Sequence, residues 1–170
     1  MSRSDWVRLA GGTKGLLQRA RELHDRRGQA FQDHPRLPGL LADYRRAIER
    51  TGELSTRLGL PTMCTSCAAR KEVCCFRGVE RRYDANLLFL NLLMGVSLPD
   101  ARLQDDACWF CGPRGCLLVA KHSFCLNFYC RLVKETLGAE GLGRLRRQVG
   151  EELMAQWEVD RVLVPWLAGL

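Results

Sequence analysis

Apolar residues recur at helical spacing over three stretches of the chain. In the first, Trp6, Leu9, Leu16, Leu17, Ala20 and Leu23 fall on one helical face, and Ser4 is placed to cap it. Gly11, Gly12 and Gly15 weaken the middle of this helix. Pro35 and Pro38 separate it from a second helix carrying Leu40, Leu41, Tyr44, Ala47, Ile48, Leu54 and Leu58, which Gly59-Leu60-Pro61 is expected to stop. Two consecutive amphipathic helices predict an antiparallel hairpin.

The segment from Asp84 to Met94 has a different pattern. Leu87, Leu88, Phe89, Leu90, Leu92 and Leu93 are apolar almost all round, which predicts a buried central helix with Asp84 as its N-cap. A helix that docks a partner is the alternative. The apolar run from Leu87 to Leu98 contains Asn91 and is too short to span a bilayer. Near the C-terminus, Phe124, Phe128, Leu132, Val133 and Leu137 fit one helical face, and Gly138 and Gly141 interrupt it. Leu142, Leu145, Val149, Leu153, Met154 and Trp157 predict a final helix that Pro165 ends, leaving Trp166-Leu167 as an apolar tail.

These patterns predict an all-α fold in one domain over 1–170. A helical hairpin occupies 1–61, a central cysteine-rich metal-binding region of loops occupies 62–130, and C-terminal helices occupy 124–170. The N-terminus mixes acid and base and has no apolar h-region, so a cytoplasmic protein is expected, with no membrane partner.

Charge adds little. The net charge is +7, and the excess is concentrated before Cys64, where twelve basic residues face seven acidic ones. The basic residues are mostly Arg interleaved with Glu and Asp, which reads as solvated helix faces. Nucleic-acid binding is therefore not expected, whereas a protein or acidic partner stays open.

The nine cysteines change the picture. They all fall between Cys64 and Cys130. In a reducing compartment such density indicates metal or redox chemistry before disulfides. Cys64-Thr65-Ser66-Cys67 is a Cys-x-x-Cys segment, followed by the adjacent Cys74 and Cys75. Such a loop brings two thiolates onto one ion. A redox pair is disfavoured, because no strand precedes the motif. Cys108, Cys111, Cys116, Cys125 and Cys130 form a second group. Gly112-Pro113-Arg114-Gly115 is a turn that folds Cys116 back toward Cys108 and Cys111. Cys125 lies near a helix start, where the helix partial charge favours a thiolate. Any of Cys75, Cys111 and Cys130 also reads as a buried free cysteine.

The spacing resembles the YkgJ-type cysteine-cluster family, described as a zinc- or iron-chelating domain. Cys64, Cys67, Cys74 and Cys75 match its first part, and Cys108 with Phe110, Gly115-Cys116 and Cys125 with Phe128 match the rest. The gap before Cys74 is longer than usual, Lys121-His122-Ser123 replaces the usual Arg-Pro, and Tyr129 stands where a Pro is common. Flagellin lysine methylases resemble the same family.

The resemblance implies a metal site built from Cys64, Cys67, Cys74, Cys75, Cys108, Cys116 and Cys125, with Cys111 and Cys130 as additions. Its cofactor is expected to be a [4Fe–4S] cluster or Zn2+, with iron–sulfur preferred. Sparse histidine and the aromatic residues Phe76, Trp109, Phe110, Phe124 and Phe128 around the cysteines point the same way. The expected function is metal binding. The alternatives are an iron–sulfur enzyme that modifies a protein, methyltransferase-like, and a structural zinc domain that mediates protein interaction. His122 is either a ligand neighbour or a loop histidine, and His24 and His34 read as surface residues. Gly11-Gly12-Thr13-Lys14-Gly15 lacks P-loop spacing, and no hydrolase or paired-carboxylate signature is present.

Overall fold

The computed structural model describes residues 11–69 and 75–169. Among the described residues six α-helices carry the fold: α1 (Gly12–Gln32), α2 (Leu37–Arg57), α3 (Leu60–Ala69), α4 (Ala85–Leu93), α5 (Ser123–Asn127) and α6 (Arg131–Ala168). Two short strands, β1 (Cys111–Gly112) and β2 (Gly115–Cys116), pair antiparallel with Cys111 opposite Cys116. The predicted positions Ser4, Trp6 and Leu9 lie outside the described residues.

The helices do not pair as a simple hairpin. The chief partner of α2 is α6, and that of α1 is α4. The reason is the distribution of apolar side chains. Leu41, Tyr44, Ala47, Thr51 and Leu54 form a continuous buried stripe along α2. Val149, Glu152, Val159 and Leu163 give α6 a stripe of similar length. Long stripes bury most area against each other. The apolar segment predicted as a central helix is α4, with Leu87 to Leu90 buried. It is core rather than a docking helix. Asp84 caps it, its carboxylate accepting from the Leu87 N–H at 2.8 Å.

Three boundaries differ from expectation. Gly59 has φ 75, which ends α2, but Pro61 opens α3 instead of closing a helix. Proline is tolerated in a first turn because the N–H it lacks would have no intrahelical partner there. The helix predicted from Phe124 onward is two pieces, α5 and α6, separated at Phe128–Cys130. Within α6, Gly138 adopts φ 60 and ψ −170 and kinks the helix, while Gly141 stays helical. Pro165 lies inside α6, which runs on to Ala168. Trp166 packs edge-on against Phe31 at 6.3 Å and His34 at 5.9 Å, and this packing holds the last turn in place.

Two buried clusters result. The larger contains Leu17, Phe31, Tyr44, Tyr83, Phe89 and Phe110, with Val159 and Leu163 from α6. The smaller contains Leu54, Leu126, Tyr129, Val133, Leu145 and Val149.

Among the described residues, the cysteines do not form a metal-binding loop region. Cys64 and Cys67 are both inside α3. In a helix the backbone N–H groups are committed to the helix ladder and do not turn toward the thiols.

Candidate functional site

A cavity of about 520 Å³ lies where the two buried clusters meet. Its lining includes Thr51 of α2, Met63 of α3, Phe110, Leu126 of α5, and Leu145 and Val149 of α6. Cys64, Cys67, Cys75, Cys108, Cys111, Cys116, Cys125 and Cys130 also line it. The walls are mostly apolar.

Short backbone pairings place the thiols. The Cys108 N–H donates to the Cys75 carbonyl at 2.6 Å, and a bridge joins Phe76 to Ala107. These contacts bring together two cysteines far apart in sequence. The β1–β2 turn sets Cys111 opposite Cys116, as the Gly-Pro-Arg-Gly sequence predicts. Gly115 at φ 114 makes that turn possible. Gly112 is equally constrained, because a Cβ there would stand 2.6 Å from Leu117 Cδ2. Asn91 holds the following segment. Its Oδ1 accepts from the Val119 and Ala120 N–H groups at 3.0 and 3.1 Å.

His122 is a helix cap. Its Nδ1 accepts from the Phe124 N–H at 3.0 Å, at the start of α5. Burial and then the nearby Arg82 lower its pKa, which keeps that nitrogen an acceptor. Arg82 itself lies 4.0 Å from the centre of the Phe124 ring. His24 and His34 are both only half-buried, and His34 also caps, accepting at Nδ1 from the Arg36 and Leu37 N–H groups at 3.1 and 3.2 Å.

Burial dominates the electrostatics of the thiols. It pushes Cys108 up to about 12 against a single hydrogen bond from the Phe110 N–H. Cys125 is raised by burial, although the Tyr83 hydroxyl donates to its sulfur at 3.6 Å and Lys121 and Arg82 lie near. The expected gain from the start of α5 is too small to reverse this, because α5 is a helix of five residues. Cys116 is exposed as a residue, yet its thiol faces Lys121, Cys125 and Tyr83 and is also raised by burial. Cys108, Cys116, Cys125 and Cys130 are free thiols. Cys108, Cys116 and Cys125 are therefore neutral near pH 7, weak nucleophiles that act as small apolar wall groups.

Among the described residues, the metal site predicted from sequence is not formed. Among the described residues, no three His, Cys, Asp or Glu side chains are grouped so as to hold a metal ion. Cys64, Cys67, Cys75, Cys108, Cys116 and Cys125, with Cys111 and Cys130, line the cavity without forming such a group. Cys74 lies outside the described residues. A zinc or iron–sulfur centre needs about four ligands converging at bonding distance. The expected [4Fe–4S] or Zn2+ cofactor, the metal-binding function, and the methylase-like and zinc-domain alternatives are accordingly corrected.

Sequence reasoning missed Glu152 and Tyr129 as cavity residues. Glu152 is 2% exposed and lines the cavity beside Thr51, and burial raises its carboxyl despite Thr51 and Lys121. Tyr129 is 8% exposed, lines the cavity, and has a buried hydroxyl with no hydrogen-bond partner. A polar residue at an i, i+3 or i+4 position among Leu145, Val149 and Leu153 is the signal that marks Glu152. No helix among the described residues is long and apolar enough to cross a membrane.

The resemblance to the YkgJ-type family rests on the cysteine pattern and its neighbouring Phe and Gly residues, and the described residues do not form the site which that pattern implies. The chain matches no family model, no curated protein and no solved structure.

Proposed function

We propose that the protein is a binding module for a small, mostly apolar molecule held in the central cavity. The observation that carries this reading is the cavity itself: about 520 Å³ within a domain of this size. That volume is in the range of sites that enclose small ligands. Close packing is the rule in protein interiors, and large voids forfeit contacts. Neutral thiols suit the role, since they present polarizable surface without charge. Free cysteines fit a reducing compartment, so a cytoplasmic location belongs to the same proposal.

A fluorescent apolar dye, N-phenylnaphthylamine, tests it. The dye brightens when it enters a dry site, and the protein is expected to bind it with saturable, single-site behaviour. Val149, 2% exposed, lines the cavity. Val149→Phe fills the space and is expected to abolish dye binding while the thermal transition is retained. Equal dye binding by the folded variant and the parent would reject the cavity as the site.

A further inference from the structure

Tyr129 and Glu152 bring buried polar groups to the cavity, and their chemistry narrows the class of ligand. We infer that the ligand is a neutral amphiphile, an apolar molecule carrying one hydroxyl-type group, and that Tyr129 and Glu152 receive that group. This inference rests on the reading of the cavity as a ligand site.

Tyr129 provides the first observation. Its ring packs with Leu126, Val133 and Leu145, while its hydroxyl is buried and unpartnered. Buried hydroxyls are almost always hydrogen-bonded, and leaving one unpaired is costly. The Arg146 guanidinium lies 5.9 Å from the centre of the ring and does not satisfy the hydroxyl. An orphan donor on a residue that lines a cavity marks the place where a ligand atom belongs.

Glu152 provides the second observation, independent of the first. It is nearly fully buried, lines the same cavity, and lies close enough to influence Tyr129 electrostatically. Its carboxyl hydrogen-bonds with Thr51, and none of the ion pairs among the described residues includes it. A hydroxyl both accepts and donates, so one such group accepts from Tyr129 and donates to Glu152.

Glu152 and Lys121 both line the cavity, and Lys121 acts on Glu152. The two charges offset each other, so a neutral ligand leaves them balanced, whereas an ionic ligand adds a net charge to be buried.

Displacement of N-phenylnaphthylamine by four probes tests the inference: octanol, octylamine, octanoate and butylbenzene. Octanol is expected to displace the dye most tightly. Tyr129→Phe removes only the hydroxyl, and it is expected to weaken octanol about five- to tenfold while leaving butylbenzene within about twofold. Equal loss for both probes, or no loss for octanol, overturns the role of Tyr129. The latter is the result if a water rather than a ligand group occupies the position. Tighter displacement by octylamine or octanoate than by octanol overturns the neutral class. Failure of the dye itself to bind the parent protein defeats the cavity reading instead, so the two failures are distinguishable.

Discussion

Asn91 and Ala120 are joined by reciprocal hydrogen bonds: the Asn91 side-chain amide donates to the Ala120 carbonyl at 2.9 Å, and its oxygen accepts from the Ala120 N–H at 3.1 Å. The same amide also donates to the Leu87 carbonyl at 2.9 Å. Both residues are fully buried. One side chain in the apolar α4 thus serves as the backbone partner of an irregular segment that a strand would otherwise pair. That segment leads directly to Lys121 and Cys125 at the cavity.

Replacing Asn91 with Leu keeps the volume but strands several buried backbone groups. Each costs about 1–3 kcal/mol, so N91L is expected to lose about 3–5 kcal/mol in urea denaturation. The hairpin and α5 are expected to lose hydrogen-exchange protection first. A loss under about 1 kcal/mol would show that the segment is not held by this amide.

Glu80 and Arg102 form a buried pair at 2.6 Å, with side chains 3% and 14% exposed. Burial alone would raise the Glu80 carboxyl, but the Arg102 guanidinium and the backbone N–H groups of Glu80 and Gly78 outweigh it, and the pKa is lowered. Arg102 also donates to the Ala107 carbonyl, next to Cys108. Removing one member leaves the other charge buried and unpaired, so R102A is expected to cost about 3–5 kcal/mol. The double variant R102M/E80L is expected to recover most of that loss, measured by thermal and urea denaturation. No recovery would mean that the cost lies in the Ala107 contact rather than in the stranded charge.

Asp160 gives the pH dependence. Burial raises its pKa from 3.8 to about 6, and the nearby Asp84 adds to this. The folded state therefore keeps a proton that the unfolded state has released. Its contribution to stability is full below about pH 4 and is lost as pH rises through about 6. Partial exposure limits the effect to about 1–3 kcal/mol. Asp160→Asn is expected to flatten this part of the stability–pH curve and to stabilise the protein at pH 7. An unchanged slope between about pH 4 and 6 would assign the dependence to other groups.

Gly112→Ala tests the hairpin. The added methyl would stand 2.6 Å from Leu117 Cδ2 and 3.2 Å from the Gly115 carbonyl oxygen. Leu117 is exposed and can turn away, but the backbone oxygen cannot. A loss of about 1–3 kcal/mol is expected. The cavity wall formed by Cys111 and Cys116 should loosen as well, read as faster reaction of Cys116 with a thiol reagent.

Local pattern determined much of the fold. The stripes of α2 and α6, the apolar α4 with its Asp84 cap, and the turn after Cys111 all depend on neighbours within a few residues. Periodicity and turn chemistry report such neighbours directly. The helix bounds that were misread, at Pro61 and Pro165, depend on context. A proline stops or starts a helix according to which backbone groups are already committed, and Trp166 packing decides the second case.

The site was legible only as a concentration of cysteines. Sequence spacing cannot say whether thiols converge on a point or surround a space, because that is a matter of tertiary distance. Leu126, Leu145 and Val149 line the same cavity as the cysteines. The partnerless hydroxyl of Tyr129 and the buried carboxyl of Glu152 were equally out of reach. Their meaning depends on what the fold places, or fails to place, within hydrogen-bonding distance. The sequence by itself determined which segments are helical and which residues seek the interior; only the tertiary structure decided that the cysteines wall a cavity, because cavities arise from packing between elements remote in the chain.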